Sequence, residues 1–235
     1  MTLIRTVLET GSTNADMVAL ARTGLGEGVW LRAERQTAGR GRQGRAWVSP
    51  DGNFSASTLV RLRPTDPPPA TLGLVAGVAL NEAVRVYLRD GDLVLKWPND
   101  LLLDGAKLSG VLLERVDDAV VVGMGVNLAH HPDLPDRPAT SLSAAGVEVA
   151  PAEFADTLAE ALARWLSTWR GQGIASVRAR WLERAHPVGT ALSARLPDGG
   201  VLQGLFAGLD SDGALSLRLA DGSARVIHAA DVLLG

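Results

Sequence analysis

The spacing of apolar and polar positions predicts a mixed α/β body over the first four-fifths of the chain. Apolar residues recur at helical spacing in four segments, and the first of these has Ser12 as a candidate N-cap. Shorter runs with alternating or continuous apolar positions predict strands. The predicted helices are residues 12–21, 70–88, 151–169 and 176–185, and the predicted strands are residues 2–9, 29–34, 54–62, 93–97, 101–103, 107–116 and 119–127.

The pattern changes after His186-Pro187. Short alternating segments (ALSARL, VLQGLFAGL, ALSLRL, ARVIHA) are separated by the turn signals PDGG, DSDG and ADG. This pattern is typical of a small antiparallel barrel of about the size of an SH3 module. We therefore predict an α+β protein, in which a mixed β-sheet flanked by helices (residues 1–186) is followed by an SH3-like β-barrel (residues 187–235).

Composition narrows the classes of function. The 235 residues are 46% hydrophobic and 21% charged, as in globular proteins, and the net charge of −3 argues against general coating of nucleic acids. The absence of cysteine excludes disulfides, thiol catalysis and thiolate metal sites. The sequence has no signal peptide and no apolar stretch of membrane-spanning length, so we expect a cytoplasmic protein with no membrane partner.

A polar loop rich in glycine and arginine follows the second predicted strand. Its glycines match G-x-G-x-x-G, but the loop leads into another strand instead of a helix, so a dinucleotide-binding fingerprint is rejected. Arginines suit carboxylates and phosphates, and glycines let a ligand approach the backbone. We favour a loop that binds an anionic small molecule over a solvated basic loop or an RNA-binding segment. The arginines are Arg35, Arg40, Arg42 and Arg45.

The chain contains 23 Lys and Arg residues, of which only Lys96 and Lys107 are lysines. Both lie in the segment KWPNDLLLDGAKLSG, where Pro98 interrupts the strand pattern and leaves Asn99 and Asp100 at the break. A bare Asn-Asp pair usually marks a turn, but beside two lysines a functional cluster is the better interpretation. The sequence GMGVN, ending at Asn127, is a further strand end where glycines allow close approach. His130 and His131 have no companion at metal-ligand spacing and are interpreted as loop residues.

Four motifs, STN near the N-terminus, QTAGRGRQGRAW, KWPNDLLLDGAKLSG and GMGVN, occur here in the order found in the biotin protein ligases. The chain strongly resembles the catalytic and C-terminal parts of that family over essentially its whole length. The resemblance implies a fold related to class II aminoacyl-tRNA synthetases. It also implies that biotin and ATP, with Mg²⁺, form biotinyl-5′-AMP, and that the biotinyl group passes to a lysine of the biotin carboxyl carrier protein, a subunit of acetyl-CoA carboxylase.

The same resemblance implies roles for individual residues. Lys107 would grip the biotin carboxylate and is the first candidate for catalysis, together with Asp100, which would orient or deprotonate the carrier lysine, and Arg42. The metal ligands remain unknown. The implied biotin contacts are Ser12, Thr13, Asn14, Gln36, Arg40, Gly41, Arg42 and Lys107, and the implied ATP contacts are Arg42, Arg45, Trp47, Lys96, Asn99 and Asn127.

Several alternatives stay open on the sequence. A lipoate–protein ligase would share the fold and the adenylate chemistry, and a non-catalytic sensor would bind biotin or nucleotide without turnover. An RNA-binding module using the arginine loop is disfavoured by the acidic balance. The winged-helix domain of the bifunctional family members has no counterpart before STN, so DNA binding is not expected. Whether the protein forms a homodimer is left open.

Overall fold

The computed structural model describes residues 3–134 and 137–234 and contains two β-sheets. The strands of the larger sheet are β1 (Leu3–Thr10), β2 (Val29–Gln36), β3 (Phe54–Arg61), β4 (Leu93–Lys96), β5 (Asp100–Leu103), β6 (Ala106–Val116) and β7 (Ala119–Val126). Their spatial order is β1-β2-β3-β7-β6-β5-β4. β1 and β2 are parallel, and the remaining neighbours are antiparallel, so the predicted mixed sheet is confirmed.

The helices of this domain pack on both faces of the larger sheet. They are α1 (Thr13–Arg22), α2 (Leu72–Tyr87), α3 (Pro151–Gln172) and α4 (Ile174–Leu182). Ser12 caps α1 as predicted, because its hydroxyl accepts from the backbone N–H of Ala15. α3 runs three residues beyond its predicted end and stops where Gly173 takes a positive φ of 74°. Trp169 and Trp181 are buried in the core, and Trp165 is partly buried against it.

Alternation along the central strands divides their side chains between two environments. Phe54, Ala56 and Val60 of β3 belong to the large core under α2 and α3, whereas Leu59 belongs to a smaller cluster with Met17 of α1. Successive side chains in a strand point to opposite faces. The face that carries α1 therefore also carries the polar and glycine positions of these strands. These positions are Ser55 and Ser57 of β3, Gly123 and Gly125 of β7 and Gly110 of β6, which are neighbours in register.

The C-terminal region forms a five-stranded antiparallel sheet. Its strands are β8 (Ala191–Arg195), β9 (Val201–Leu209), β10 (Leu215–Arg218), β11 (Ala224–Ile227) and β12 (Asp231–Leu234), in the order β11-β10-β9-β8-β12. The predicted barrel is not closed, because β11 and β12 lie at opposite edges and do not pair within the described ranges. The sequence pattern predicted the first four strands and missed β12. The predicted domain boundary at residue 186 stays a prediction.

None of the helices in the described parts of the chain is both long enough and apolar enough to cross a lipid bilayer.

Candidate active site between the sheet and the arginine loop

A cleft of about 380 Å³ lies on the α1 face of the larger sheet, under the glycine–arginine loop. Its walls come from the start of α1, the end of β2, the loop, three central strands and Asp231 of β12. Small residues at one row of the sheet create the space: Ser55, Gly125 and Gly110 are register neighbours on β3, β7 and β6. The cleft has two ends of different chemistry, a neutral end at α1 and a charged end at Asp100.

The neutral end is a hydrogen-bonded set of side chains. Gln36 accepts from the backbone N–H of Thr13 at 2.8 Å and lies 3.1 Å from the Thr13 hydroxyl. That hydroxyl is 2.8 Å from the hydroxyl of Ser57 on β3. Ser57 in turn donates to Asn14 Oδ1 at 2.7 Å, and Asn14 Nδ2 donates to Glu114 of β6 at 2.6 Å. These contacts fix the positions of Thr13, Asn14 and Gln36, three of the predicted biotin contacts.

A glycine makes room for the Asn14 side chain. A Cβ atom at Gly123 would lie 2.0 Å from Asn14 Oδ1 and 2.7 Å from its amide carbon. Both are far inside van der Waals contact, so any side chain at this position would displace the Asn14 amide. The GMGVN motif therefore allows close approach as expected, and the group that approaches Gly123 is a side chain of the protein itself.

The charged end is built around Asp100 on β5. Its carboxylate lies 2.5 Å from Lys107 Nζ and 3.4 Å from Lys96 Nζ, and only 6% of its side chain is exposed. Burial raises the pKa of Asp100, but the charges of Lys107 and Lys96 outweigh that effect and hold the pKa below its ordinary value. Asp100 is therefore an ionised carboxylate. Burial also lowers the pKa of Lys96, which donates to the carbonyl of Val232 at 2.9 Å.

Two loop arginines cover the charged end and contact the C-terminal sheet. Arg42 donates to Asn99 Oδ1 at 3.2 Å and to the carbonyl of Ala230 at 3.4 Å. Burial lowers the pKa of Arg42, which remains a cation because its ordinary value is far above neutrality. Arg45 pairs with Asp231 Oδ2 at 2.5 Å. The loop is thus held against β12 while its guanidinium groups border the cleft.

Trp47 forms part of the cleft wall beside Lys107. Its indole ring packs on Gly125 so closely that a Cβ atom there would lie 2.4 Å from the ring. Lys107 Nζ lies 5.9 Å from the centroid of the ring, within range of a cation–π contact. The flat indole and the ammonium group therefore border the same space.

The structure brings nearly all predicted site residues into this one cleft. Lys96 lies behind Asp100 and does not line the space. His131 lies in hydrogen-bond range of the Ser141 hydroxyl. The described residues contain no group of three or more His, Cys, Asp or Glu side chains that could hold a metal ion. The predicted residues that line the cleft are Ser12, Thr13, Asn14, Gln36, Arg40, Gly41, Arg42, Arg45, Trp47, Asn99, Asp100, Lys107 and Asn127.

Sequence reasoning missed several contributors to the site, among them four polar or charged side chains. Ser57 occupies an α1-facing position of FSASTLVRL, so the alternation in that strand could have revealed it. Glu114 holds Asn14 from a position outside the cleft, and Arg137 and Asp231 line the charged end. No short motif marks these three residues, because they are brought to the site by tertiary pairing of distant segments.

Two family models match the chain. Residues 25–128 match the biotin/lipoate A/B protein ligase family, and residues 193–235 match the biotin protein ligase C-terminal domain. The second match covers most of the small antiparallel sheet, and the first covers the strands that carry most of the cleft.

Two relatives match this chain over most of their own length. The chain is 41% identical to a biotin–[acetyl-CoA-carboxylase] ligase of Paracoccus denitrificans, with 96% of this chain and 98% of the relative covered. It is 36% identical to the enzyme of the same name from Mycobacterium tuberculosis, with 97% and 87% covered. The structure of the biotin protein ligase of Aquifex aeolicus in complex with biotin and ATP superimposes with a TM-score of 0.87 at 24% identity, covering both chains fully, which establishes the fold.

Proposed function

Because the chain belongs to the biotin protein ligase family, we propose that it activates biotin with ATP as biotinyl-5′-AMP and transfers the biotinyl group to a lysine of a biotin carboxyl carrier protein. The observation that carries this proposal for the present chain is the pairing of a neutral end and a cationic end in one cleft. The neutral end suits an uncharged polar ring. The cationic end suits the carboxylate and phosphates that must react.

The first step joins two anions. A biotin carboxylate oxygen forms a bond to the α-phosphorus of ATP, and the bond to the bridging oxygen breaks, which releases pyrophosphate. The repulsion between the reactants falls only where fixed positive charge meets the oxygens on which charge develops. Lys107 and Arg42 border the space where these groups would meet, and Arg45 lies further along the loop. We assign Lys107 the main role in this step.

Asp100 positions this machinery. The sequence predicts that Asp100 orients or deprotonates the carrier lysine, and its surroundings argue against the removal of a proton. Its lowered pKa makes it a poor base near neutral pH, and both of its oxygens face ammonium groups. Its ion pair with Lys107 fixes the ammonium beside Trp47. In the second step, the neutral amine of the carrier lysine attacks the acyl carbon, the bond from that carbon to the AMP oxygen breaks, and the amine passes one proton to water as AMP leaves.

Asn127 offers an acceptor to the nucleotide. Its Nδ2 donates to the carbonyl of Thr140, while its buried Oδ1 has no hydrogen-bond partner among residues 3–134 and 137–234. An amide oxygen repels a bare phosphate oxygen and attracts an N–H group or a cation. We therefore assign Asn127 to the exocyclic amine of adenine or to the metal that accompanies ATP, and Trp47 to the face of the adenine ring.

Mg²⁺ would enter as the counterion of ATP. The cleft carboxylates Asp100 and Asp231 are both engaged by cationic side chains, so the protein can contribute few oxygen ligands. This arrangement fits a Mg²⁺ ion that takes most of its ligands from phosphate oxygens and water, as Mg²⁺ commonly does in ATP sites. A cytoplasmic location and a homodimer also belong to the proposal. Analytical ultracentrifugation would test the homodimer.

The decisive experiment is incubation with ATP, Mg²⁺, biotin and a biotin carboxyl carrier domain, followed by mass measurement of the carrier. We expect an increase of one biotinyl group that requires all components. An unchanged carrier mass would contradict the proposal. Biotin binding without ATP–pyrophosphate exchange would identify a sensor. Stronger thermal stabilisation by lipoate than by biotin would identify a lipoate ligase.

A further inference from the structure

The neutral end of the cleft contains a chain of four side chains that is one hydrogen short. Asn14 Oδ1, Ser57 Oγ, Thr13 Oγ1 and Gln36 Oε1 are joined by three contacts of 2.7, 2.8 and 3.1 Å. Each contact needs one hydrogen. Each hydroxyl supplies one, and both ends of the chain are amide oxygens, which supply none. Two hydrogens therefore serve three links.

The orientation of both end groups is fixed from outside the chain. Gln36 Oε1 must be an oxygen, because the backbone N–H of Thr13 donates to it at 2.8 Å. Asn14 must turn its NH₂ group towards Glu114, since an ionised carboxylate can only accept hydrogen bonds. Its oxygen then faces Ser57. The charge of Glu114 thus creates the shortage of hydrogens.

We propose that Glu114 is a positioning residue that makes this end of the cleft read N–H groups of the ligand. The missing hydrogen leaves oxygen lone pairs of Ser57 and Thr13 unsatisfied, and a ligand N–H supplies what they lack. This inference rests on the proposed function, in which the ligand at this end is the ureido ring of biotin. That ring has two N–H groups, whereas the dithiolane ring of lipoate has none.

Reversing the charge at residue 114 should complete the chain without a ligand. In Glu114→Lys the introduced ammonium donates to the Asn14 oxygen, so the amide turns its NH₂ group towards Ser57. Three hydrogens then serve three links, and Ser57 and Thr13 each keep only one lone pair for the ligand, because the other accepts a hydrogen from within the chain. Calorimetric titration of the full-length variant should show biotin affinity reduced about a hundredfold, because each of the two ureido N–H groups then meets an oxygen that already accepts from within the chain.

ATP affinity distinguishes positioning from general damage to the fold. Glu114 lies outside the cleft and far along β6 from Lys107, so the KM for ATP in pyrophosphate exchange should stay within about twofold. Glu160→Lys, the same charge reversal at an exposed position of α3, is the matched control and should leave both affinities unchanged.

A second substitution should restore binding. In Asn14→Asp combined with Glu114→Lys, the new carboxylate accepts from both the introduced ammonium and the Ser57 hydroxyl, which recreates the shortage. Biotin affinity should recover to within about tenfold of the parent. An affinity of the double variant no better than that of Glu114→Lys would overturn the inference, and so would parental affinity in Glu114→Lys itself.

Glu114→Gln keeps the test usable if the Glu114→Lys variant fails to fold. Glutamine can present either amide atom to Asn14, so biotin affinity should fall about fivefold. This loss should vanish in a Ser57→Ala background, where the orientation of Asn14 no longer reaches Thr13. An equal loss in both backgrounds would contradict the inference. A parent protein that does not bind biotin at all would contradict the proposed function instead.

Discussion

The two ends of the cleft lie on the same sheet but are held together by different interactions. At the neutral end, hydroxyl and amide groups of α1, β2 and β3 are connected to one another, and those of Thr13, Asn14 and Ser57 are almost fully buried. At the charged end, two lysines, Asp100 and the loop arginines Arg42 and Arg45 are held by ion pairs and hydrogen bonds, some of which reach the C-terminal segment. What the neutral end can bind depends on the number and direction of its hydrogen bonds. What the charged end can bind depends on the sum of its charges.

This difference predicts which property of the enzyme changes when each end is altered. Removing a charge from the charged end should slow the chemical step while leaving the ring of biotin bound, since electrostatic stabilisation acts where charge develops. Disturbing the neutral end should weaken biotin binding while leaving ATP binding in place. Variants at the two ends should therefore change different kinetic constants.

The largest effect should come from Lys107→Ala. Loss of one positive group aimed at developing charge typically costs about two to three orders of magnitude in rate, so biotin-dependent ATP–pyrophosphate exchange should fall about a thousandfold. Lys107→Arg should also fail, because a guanidinium fork cannot replace a compact ammonium against Asp100. Exchange kinetics with saturating biotin measure the effect.

Removal of an exposed positive charge is the matched control for Lys107→Ala. Arg218→Ala, on β10, should leave exchange unchanged. Exchange in Lys107→Ala that stays within tenfold of the parent would refute the role assigned to Lys107, and it would remove the main distinction between the two ends.

The next largest effect should come from Gly123→Ala at the neutral end. The added methyl group would lie 2.0 Å from Asn14 Oδ1, so the amide must move and the hydroxyl chain loses its end. We expect biotin affinity to fall about a hundredfold with little change in the KM for ATP. Isothermal titration with biotin, and exchange kinetics with varied ATP, measure both constants.

Gly171→Ala is the matched control, because no atom lies near the position of its Cβ. It should leave both constants unchanged and not reduce stability, since alanine favours a helix over glycine. A hundredfold change in the KM for ATP in Gly123→Ala would show that the two ends do not act separately.

Local structure brings the centre of the charged end together, whereas the neutral end depends on contacts between distant segments. Lys96, Lys107, Asn99 and Asp100 lie within one short segment, so a hairpin brings them together whatever the rest of the fold does. Asn14 contacts Ser57 and Glu114, which lie 43 and 100 positions further along the chain. Local patterns predict elements and their faces, but they do not specify which distant strands become neighbours.

The C-terminal sheet shows the same limit. Its turns and short strands are visible in the sequence, whereas β12 has only four residues and follows no strong turn signal. Its contribution to the site, through Ala230, Asp231 and Val232, depends on how this sheet docks against the arginine loop. Such docking is a property of tertiary packing, and no motif in the chain encodes it.

The smallest of the three expected effects is that of Arg42→Gly. This substitution loosens the loop over the charged end and leaves Lys107 in place. Arg42 ties the loop to Asn99 and Ala230, and hydrogen bonds from a charged donor typically contribute about 1.5–3 kcal/mol. Without them the adenylate should escape, and biotinylation of a lysine-rich bystander protein should rise about tenfold or more. Streptavidin blotting of serum albumin in the reaction measures this rise.

The scarcity of lysine in this chain limits labelling of the enzyme itself in the bystander assay. Its two lysines, Lys96 and Lys107, have side chains that are 9% and 17% exposed, so the enzyme itself is a poor acceptor and released adenylate must react elsewhere. Arg63→Gly, at an exposed loop position, controls for loss of charge and should not increase bystander labelling. If labelling by Arg42→Gly stays confined to the carrier, the loop does not retain the adenylate, and the charged end acts through Lys107 without a cover.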